Sequence, residues 1–112
     1  MVEEQKEVIV SKSYKDHLNL IIEYSNEIFG YNQSEKYLNI IIYLVERLYY
    51  NYGMYPECCH LATKKRIYRN IILDSHLIIY MITVLRIEVL DIIHSASSIR
   101  KIRGIRSIRI PK

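Results

Sequence analysis

The thirty residues from Lys65 to His94, "KRIYRNIILDSHLIIYMITVLRIEVLDIIH", decide how this chain folds. They divide into three β-branched runs, Lys65 to Leu73, His76 to Thr83 and Arg86 to His94, parted by tight links. Isoleucine, valine and tyrosine suit the pleated, packed surface of a strand. Three such runs at this spacing predict an antiparallel meander. In the third run Ile87, Val89 and Asp91 are expected on one face and Glu88, Leu90 and Ile92 on the other, an imperfect alternation. The links lack the Asn-Gly pair of a two-residue hairpin, so their turn types stay open.

Upstream the period changes. Glu7 to Ser11, "EVIVS", predicts a short first strand. Ser13 and Asp16 have the Ser-x-x-Asp spacing of a capping box. Behind them Tyr14, Leu18, Ile21, Ile22, Ser25, Ile28 and Phe29 keep a helical stripe up to Gly30, which stands where a terminating glycine belongs. Ser34 is expected to cap a second helix reaching about Asn51, with Leu38, Ile41, Ile42, Val45, Leu48 and Tyr49 as its apolar positions. Ile40, Tyr43 and Leu44 widen its stripe, which predicts cover on more than one side. Two such helices with a short link form an antiparallel hairpin. Residues 51–63, "NYGMYPECCHLAT", carry Gly53 and Pro56 and read as a loop. The order β-α-α-β-β-β predicts one α+β domain over residues 1–112. Its helical hairpin packs on one face of a small antiparallel sheet, and a basic tail, residues 95–112, follows.

Composition narrows the class. A chain of 112 residues, half of them apolar, can bury a real core and is not disordered. Its longest stretch without a charged residue, Ser75 to Leu85, is far short of the roughly 20 residues that span a bilayer. The acidic start "MVEEQKEVIV" does not have the form of a signal peptide, so a cytoplasmic protein is expected. The only cysteines, Cys58 and Cys59, are adjacent. Neighbouring cysteines have no metal spacing and rarely bridge each other, so even with His60 alongside they read as reduced loop thiols.

Charge is unevenly divided. Residues 1–63 hold five Lys/Arg against nine Asp/Glu, whereas residues 64–112 hold eleven against three. An acidic half joined to a basic half points to a polyanion or an acidic protein segment as partner. The tail concentrates this charge. In "IRKIRGIRSIRI", Ile99 to Ile110, an Ile-Arg pair returns every third residue, a period that fits neither a strand nor an α-helix. The expected form is a helical turn over Ser97 to Arg103, stopped by Gly104, and an extended Ile105 to Ile110 along a sheet edge. On that view the period is incidental, its consequence is a basic rim, and loss of residues 104–112 would weaken binding more than folding.

The second half of the chain resembles the RelE/ParE family of bacterial type II toxin–antitoxin toxins. The resemblance rests on the Tyr68-Arg69 pair, Ile78 to Tyr80, Ile87 to His94 and the basic run Arg100 to Arg109, in that order after a helical hairpin. It implies a small α+β toxin neutralised by a cognate antitoxin, with no cofactor. RelE-like members cut mRNA, usually on the ribosome. ParE-like members instead poison DNA gyrase and are not known as nucleases, and some relatives have lost activity and only bind an antitoxin. Translation inhibition by mRNA cleavage is the first expectation here, gyrase poisoning the alternative.

Metal-free RNA cleavage needs a base for the ribose 2′-OH, a cation for the phosphate and an acid for the leaving oxygen. The resemblance carries the phosphate-binding arginine over to Arg69 and the acid or base to His94, whose ordinary pKa of about 6.5 suits either role. Ser95 follows His94 where relatives with a strong histidine site often have tyrosine. Arg66 neighbours Arg69, and Arg86 begins the last strand within reach of the same surface. For Arg66 and Arg69 the structural alternative is a solvated strand or an ion pair with Glu88. Lys64, Lys65, Arg100, Lys101, Arg103, Arg106 and Arg109 are expected to contact nucleic acid or antitoxin. Tyr80 is expected to pack against the hairpin, and His76 has no evident partner.

Overall fold

The computed structural model describes residues 4–111; residues 1–3 and Lys112, the ends of the expected domain and tail, lie outside them. The order is β1 (Glu7–Val10), α1 (Lys12–Phe29), α2 (Tyr31–Glu46), α3 (Leu48–Asn51), β2 (Tyr68–Ile72), β3 (His76–Ile82), β4 (Arg86–His94) and α4 (Ile99–Gly104). A 3₁₀ turn, Ile105–Ser107, continues α4 directly. All three β-branched runs form the strands their composition predicts.

The strands lie in the order β1-β4-β3-β2. The meander β2-β3-β4 is antiparallel, as expected. β1 enters beside β4 in parallel, which makes the whole sheet mixed and not antiparallel throughout. Alternation of side chains reports faces and not direction, so the sequence pattern could not distinguish the two arrangements. β4 also carries a bulge. Tyr80 pairs with Val89 and Ile79 with Asp91, so Leu90 is skipped. The extra residue reverses the phase of the strand. Ile87 and Val89 therefore share a core with Ile92, while Leu90 and Ile93 face the other one. This corrects the expected face of Ile92, while Asp91 stays on the helix side, where it meets His17 of α1, and it explains the broken alternation.

The hairpin is tighter than its sequence suggests. Gly30 alone links α1 and α2. Its N–H donates to Asn26 O, closing α1, and its carbonyl accepts from Ser34 N, opening α2. The turn needs φ 85° with ψ 164°, a conformation open to glycine and costly for other residues. The caps shift accordingly. Ser11, and not Ser13, caps α1 by accepting from Tyr14 N at 2.9 Å. It lies at the strand end, where its own N–H already bonds Val89 O and its hydroxyl donates to Leu90 O. Ser34 does not cap α2, which begins at Tyr31. It is buried and ties the two helices together by donating to Ile22 O. The second helix breaks at Arg47, so α3 is a separate turn.

Two cores flank the sheet. On one face Tyr14, Ile41, Val45 and Leu48 of the helices bury Ile78, Tyr80, Ile87, Val89 and Ile92, as the hairpin predicts. On the other face Cys58 and Leu61 of the loop, with Ile102 and Ile105 of the tail, cover Ile79, Leu90 and Ile93. The tail is therefore structural. Gly104 does not stop it, and Ile105 to Ile110 does not run along a sheet edge. α4 tightens into the 3₁₀ turn, where three residues complete one turn and a period of three becomes a straight line. Ile102 and Ile105 are buried and Ile108 half-buried along that line. A strand with apolar residues on both sides, such as "HLIIYMI", requires this second layer.

Candidate functional site

The expected catalytic pair is not assembled. Arg69, on the outer edge of β2, pairs with Tyr80 of β3, which pairs with Val89 of β4. His94 stands five residues further along β4. One of those five is the bulge residue Leu90, so at about 3.3 Å per residue the two levels stand about 13 Å apart along the strand direction. The Arg69 guanidinium is turned to carbonyls of the 53–66 loop and His94 to Ala96 N, so the structure does not bring the two groups together.

Each member also has a local task. Arg69 Nε donates to Arg66 O at 2.8 Å, and one terminal nitrogen donates to Tyr55 O at 2.8 Å and Gly53 O at 3.1 Å. The guanidinium thus holds the Gly53 to Glu57 segment against the sheet edge, where Asn70 N also donates to Pro56 O. The ion pair with Glu88 belongs to Arg86 and not to Arg66 or Arg69. Arg86 uses another nitrogen to hold Ile110 O at 3.0 Å.

His94 is exposed, and its Nδ1 accepts from Ala96 N at 3.0 Å. A backbone N–H can only donate, so the neutral ring carries its proton on Nε2. A general base needs a lone pair there, so acting as one would require His94 to change tautomer and lose this bond.

The sheet end instead gathers histidines. His76 faces His94 across the β3–β4 ladder, with ring centroids 5.8 Å apart and nearly perpendicular. His76 Nδ1 lies 2.7 Å from the Tyr37 hydroxyl of α2. Burial, followed by the neighbouring His94, lowers the pKa of His76 below 6.5. On α1, His17 Nδ1 lies 2.6 Å from Asp91 Oδ1, which also accepts from Ile92 N. Tyr37, His76 and His17 were not among the expected site residues. The bulge in β4 sets His76 opposite His94, a register that the run lengths alone do not give.

Beside these rings a groove of about 570 Å³ opens between α1, the start of α2 and the β2–β3 turn. Leu20, Tyr24 and Phe29 line it and remain 61%, 64% and 65% exposed. Tyr80, as expected, is buried under the hairpin, where its ring meets Tyr55 edge-on. Burial pushes the Cys58 thiol up to about 11, so it is protonated at neutral pH and a poor metal ligand. Among the described residues no helix is long and apolar enough to cross a membrane.

The remaining expected contact residues share one layer. Lys64, Lys65 and Arg66 are exposed on the loop, and Arg100, Lys101, Arg103, Arg106 and Arg109 on the tail. Arg106 joins the two segments by donating to Ala62 O at 3.0 Å.

A helical hairpin over a small mixed sheet, with a basic C-terminal cover, is the architecture expected from the RelE/ParE resemblance. The family model described as "ParE toxin of type II toxin-antitoxin system, parDE" matches residues 8–99, and the chain belongs to that family. It is the toxin component of such a module, and the family implies a cognate antitoxin as its partner. Among solved structures, a chain from "Chromosomal ParDE TA system from P. aeruginosa" has the same fold. The TM-score is 0.67 at 13% identity, with 82% of this chain and 98% of that chain covered. No curated protein sequence matches.

Proposed function

We propose that this chain arrests growth by binding and poisoning DNA gyrase in the cytoplasm, and that it does not itself cut RNA. The observation that carries this reading is the separation of Arg69 from His94, each already engaged with backbone groups. A nuclease needs its cation and its acid or base on one phosphodiester, whereas a binding toxin needs only a surface. Membership of the ParE family supports the same choice.

The test sets two purified assays side by side. With gyrase and relaxed plasmid, the protein is expected to block supercoiling or trap cleaved DNA. In a ribosome-containing translation mix, mRNA is expected to stay intact. Cleavage of mRNA that disappears in Arg69→Ala and His94→Ala would overturn the proposal in favour of a nuclease. Inactivity in both assays, with no growth arrest on expression, would overturn it in favour of a relative that only binds its antitoxin.

A further inference from the structure

The tail's period of three sorts its residues into two rows. Ile102, Ile105 and Ile108 face the second core, while Arg100, Arg103, Arg106 and Arg109 are exposed. Residues 99–107 beneath this row are helical, and from Ile108 the backbone is extended. Alongside it lies the loop bearing Lys64, Lys65 and Arg66, bound to the tail through Arg106. The Arg106 guanidinium donates to Ala62 O and lies 5.8 Å from the centre of the Tyr68 ring. With Lys101, which lines the adjoining groove beside His94, the loop and tail expose eight cations. Among the described residues, none of the eight pairs with a carboxylate. The flanking acid, Glu57, is held by Thr63 N at 3.2 Å. Like charges held together without counter-ions oppose the compact state, and a polyanion relieves them.

Phosphate fits this layer better than a peptide carboxylate does. Five of the eight cations are arginines, whose planar forks grip phosphate oxygens in pairs. The row is anchored at its inner edge by Ile102 and Ile105, both buried, so it presents its charge from a fixed base. Duplex DNA presents one negative charge per roughly 1.7 Å of axis. The described tail has no Asn or Gln to read adenine, and α4 has only six residues. We propose that this layer binds the phosphate backbone of duplex nucleic acid, independently of base sequence. The inference stands whether or not gyrase is the target.

The experiment is fluorescence anisotropy of the full chain with a short labelled DNA duplex, repeated with an unrelated sequence and with an RNA duplex. For four or five phosphates neutralised, log affinity should fall against log salt with a slope of about −4. That is a loss of about two hundred-fold between roughly 50 and 200 mM salt. Both DNA sequences should bind alike. The double variant Arg100→Ala/Arg103→Ala should bind more weakly, with a slope shallower by about two. Its melting temperature should not change, because both side chains are exposed and make no intramolecular ion pair. Binding of the RNA duplex with a similar slope also supports recognition of the shared backbone. An unaltered slope in the double variant would overturn the proposal. So would polyglutamate binding at a salt concentration where neither duplex binds, which would make the layer a surface for acidic proteins.

Discussion

Arg86 Nε lies 2.9 Å from Glu88 Oε2, and a terminal nitrogen of the same guanidinium donates to Ile110 O at 3.0 Å. Both side chains are largely buried, at 19% and 12% exposed. One charged pair on β4 therefore latches the end of the tail to the sheet. Removing one partner of a buried pair leaves the other desolvated and uncompensated. Arg86→Ala should cost about 3 kcal/mol in urea denaturation and speed trypsin cleavage at Arg106 and Arg109. Unchanged cleavage would show that the tail holds without the latch.

The tail should matter to folding itself. Ile105 is 2% exposed in the second core, whereas Ile99 is 48% exposed. Ile105→Ala should cost about 3 kcal/mol through lost transfer energy and the cavity left behind. Ile99→Ala should cost less than about 1 kcal/mol, since little of it leaves water on folding. Deletion of residues 105–112 should abolish the cooperative thermal transition seen by far-UV circular dichroism. A deleted chain that melts normally would restore the view of the tail as a binding appendage.

How much of this was legible in the sequence follows from which patterns map onto one structure. The meander was, because β-branched runs with short links have few other solutions, and β4 begins and ends where its pattern does. The hairpin was too, although its junction was misplaced. Gly30 works alone through a backbone angle that no spacing rule encodes, and Ser11 serves strand and helix at once. The tail was misread because a period of three matches a regular element only when an α-helix passes into a 3₁₀ turn. The site was least legible. Family likeness pointed to Arg69 and His94, but separation across a sheet depends on register, and a carbonyl cage around an arginine leaves no trace in composition.

That cage gives Arg69 a structural signature. Arg69→Ala would leave the carbonyls of Gly53, Tyr55 and Arg66 without this donor. Hydrogen bonds from a charged donor are worth about 1.5–3 kcal/mol, so a loss of about 2 kcal/mol is expected for this partly exposed group. Arg69→Lys should recover little of it, because one ammonium cannot span three carbonyls along two directions. Gyrase inhibition should persist at temperatures where the variant remains folded. Complete loss of activity with unchanged stability would return Arg69 to a direct role.

His76 should make stability depend on pH. Burial and His94 lower the pKa of His76 below 6.5, so the folded state favours the neutral ring. An unfolded histidine takes its proton near 6.5. Between the folded value and 6.5 the unfolded chain thus holds more protons, and stability rises with pH. The contribution is complete above about 6.5 and is lost as pH falls through the folded value. The groups around His76 are His94 on β4, Tyr37 on α2, Asp74 on the turn, and His17 and Lys101 along the adjoining groove. His76→Gln keeps an acceptor for the Tyr37 hydroxyl and removes the titration, leaving His17–Asp91 intact. Urea denaturation between pH 5 and 8 should therefore give a shallower acid slope for the variant than for the wild type. Equal slopes would assign the acid sensitivity to another group around the groove.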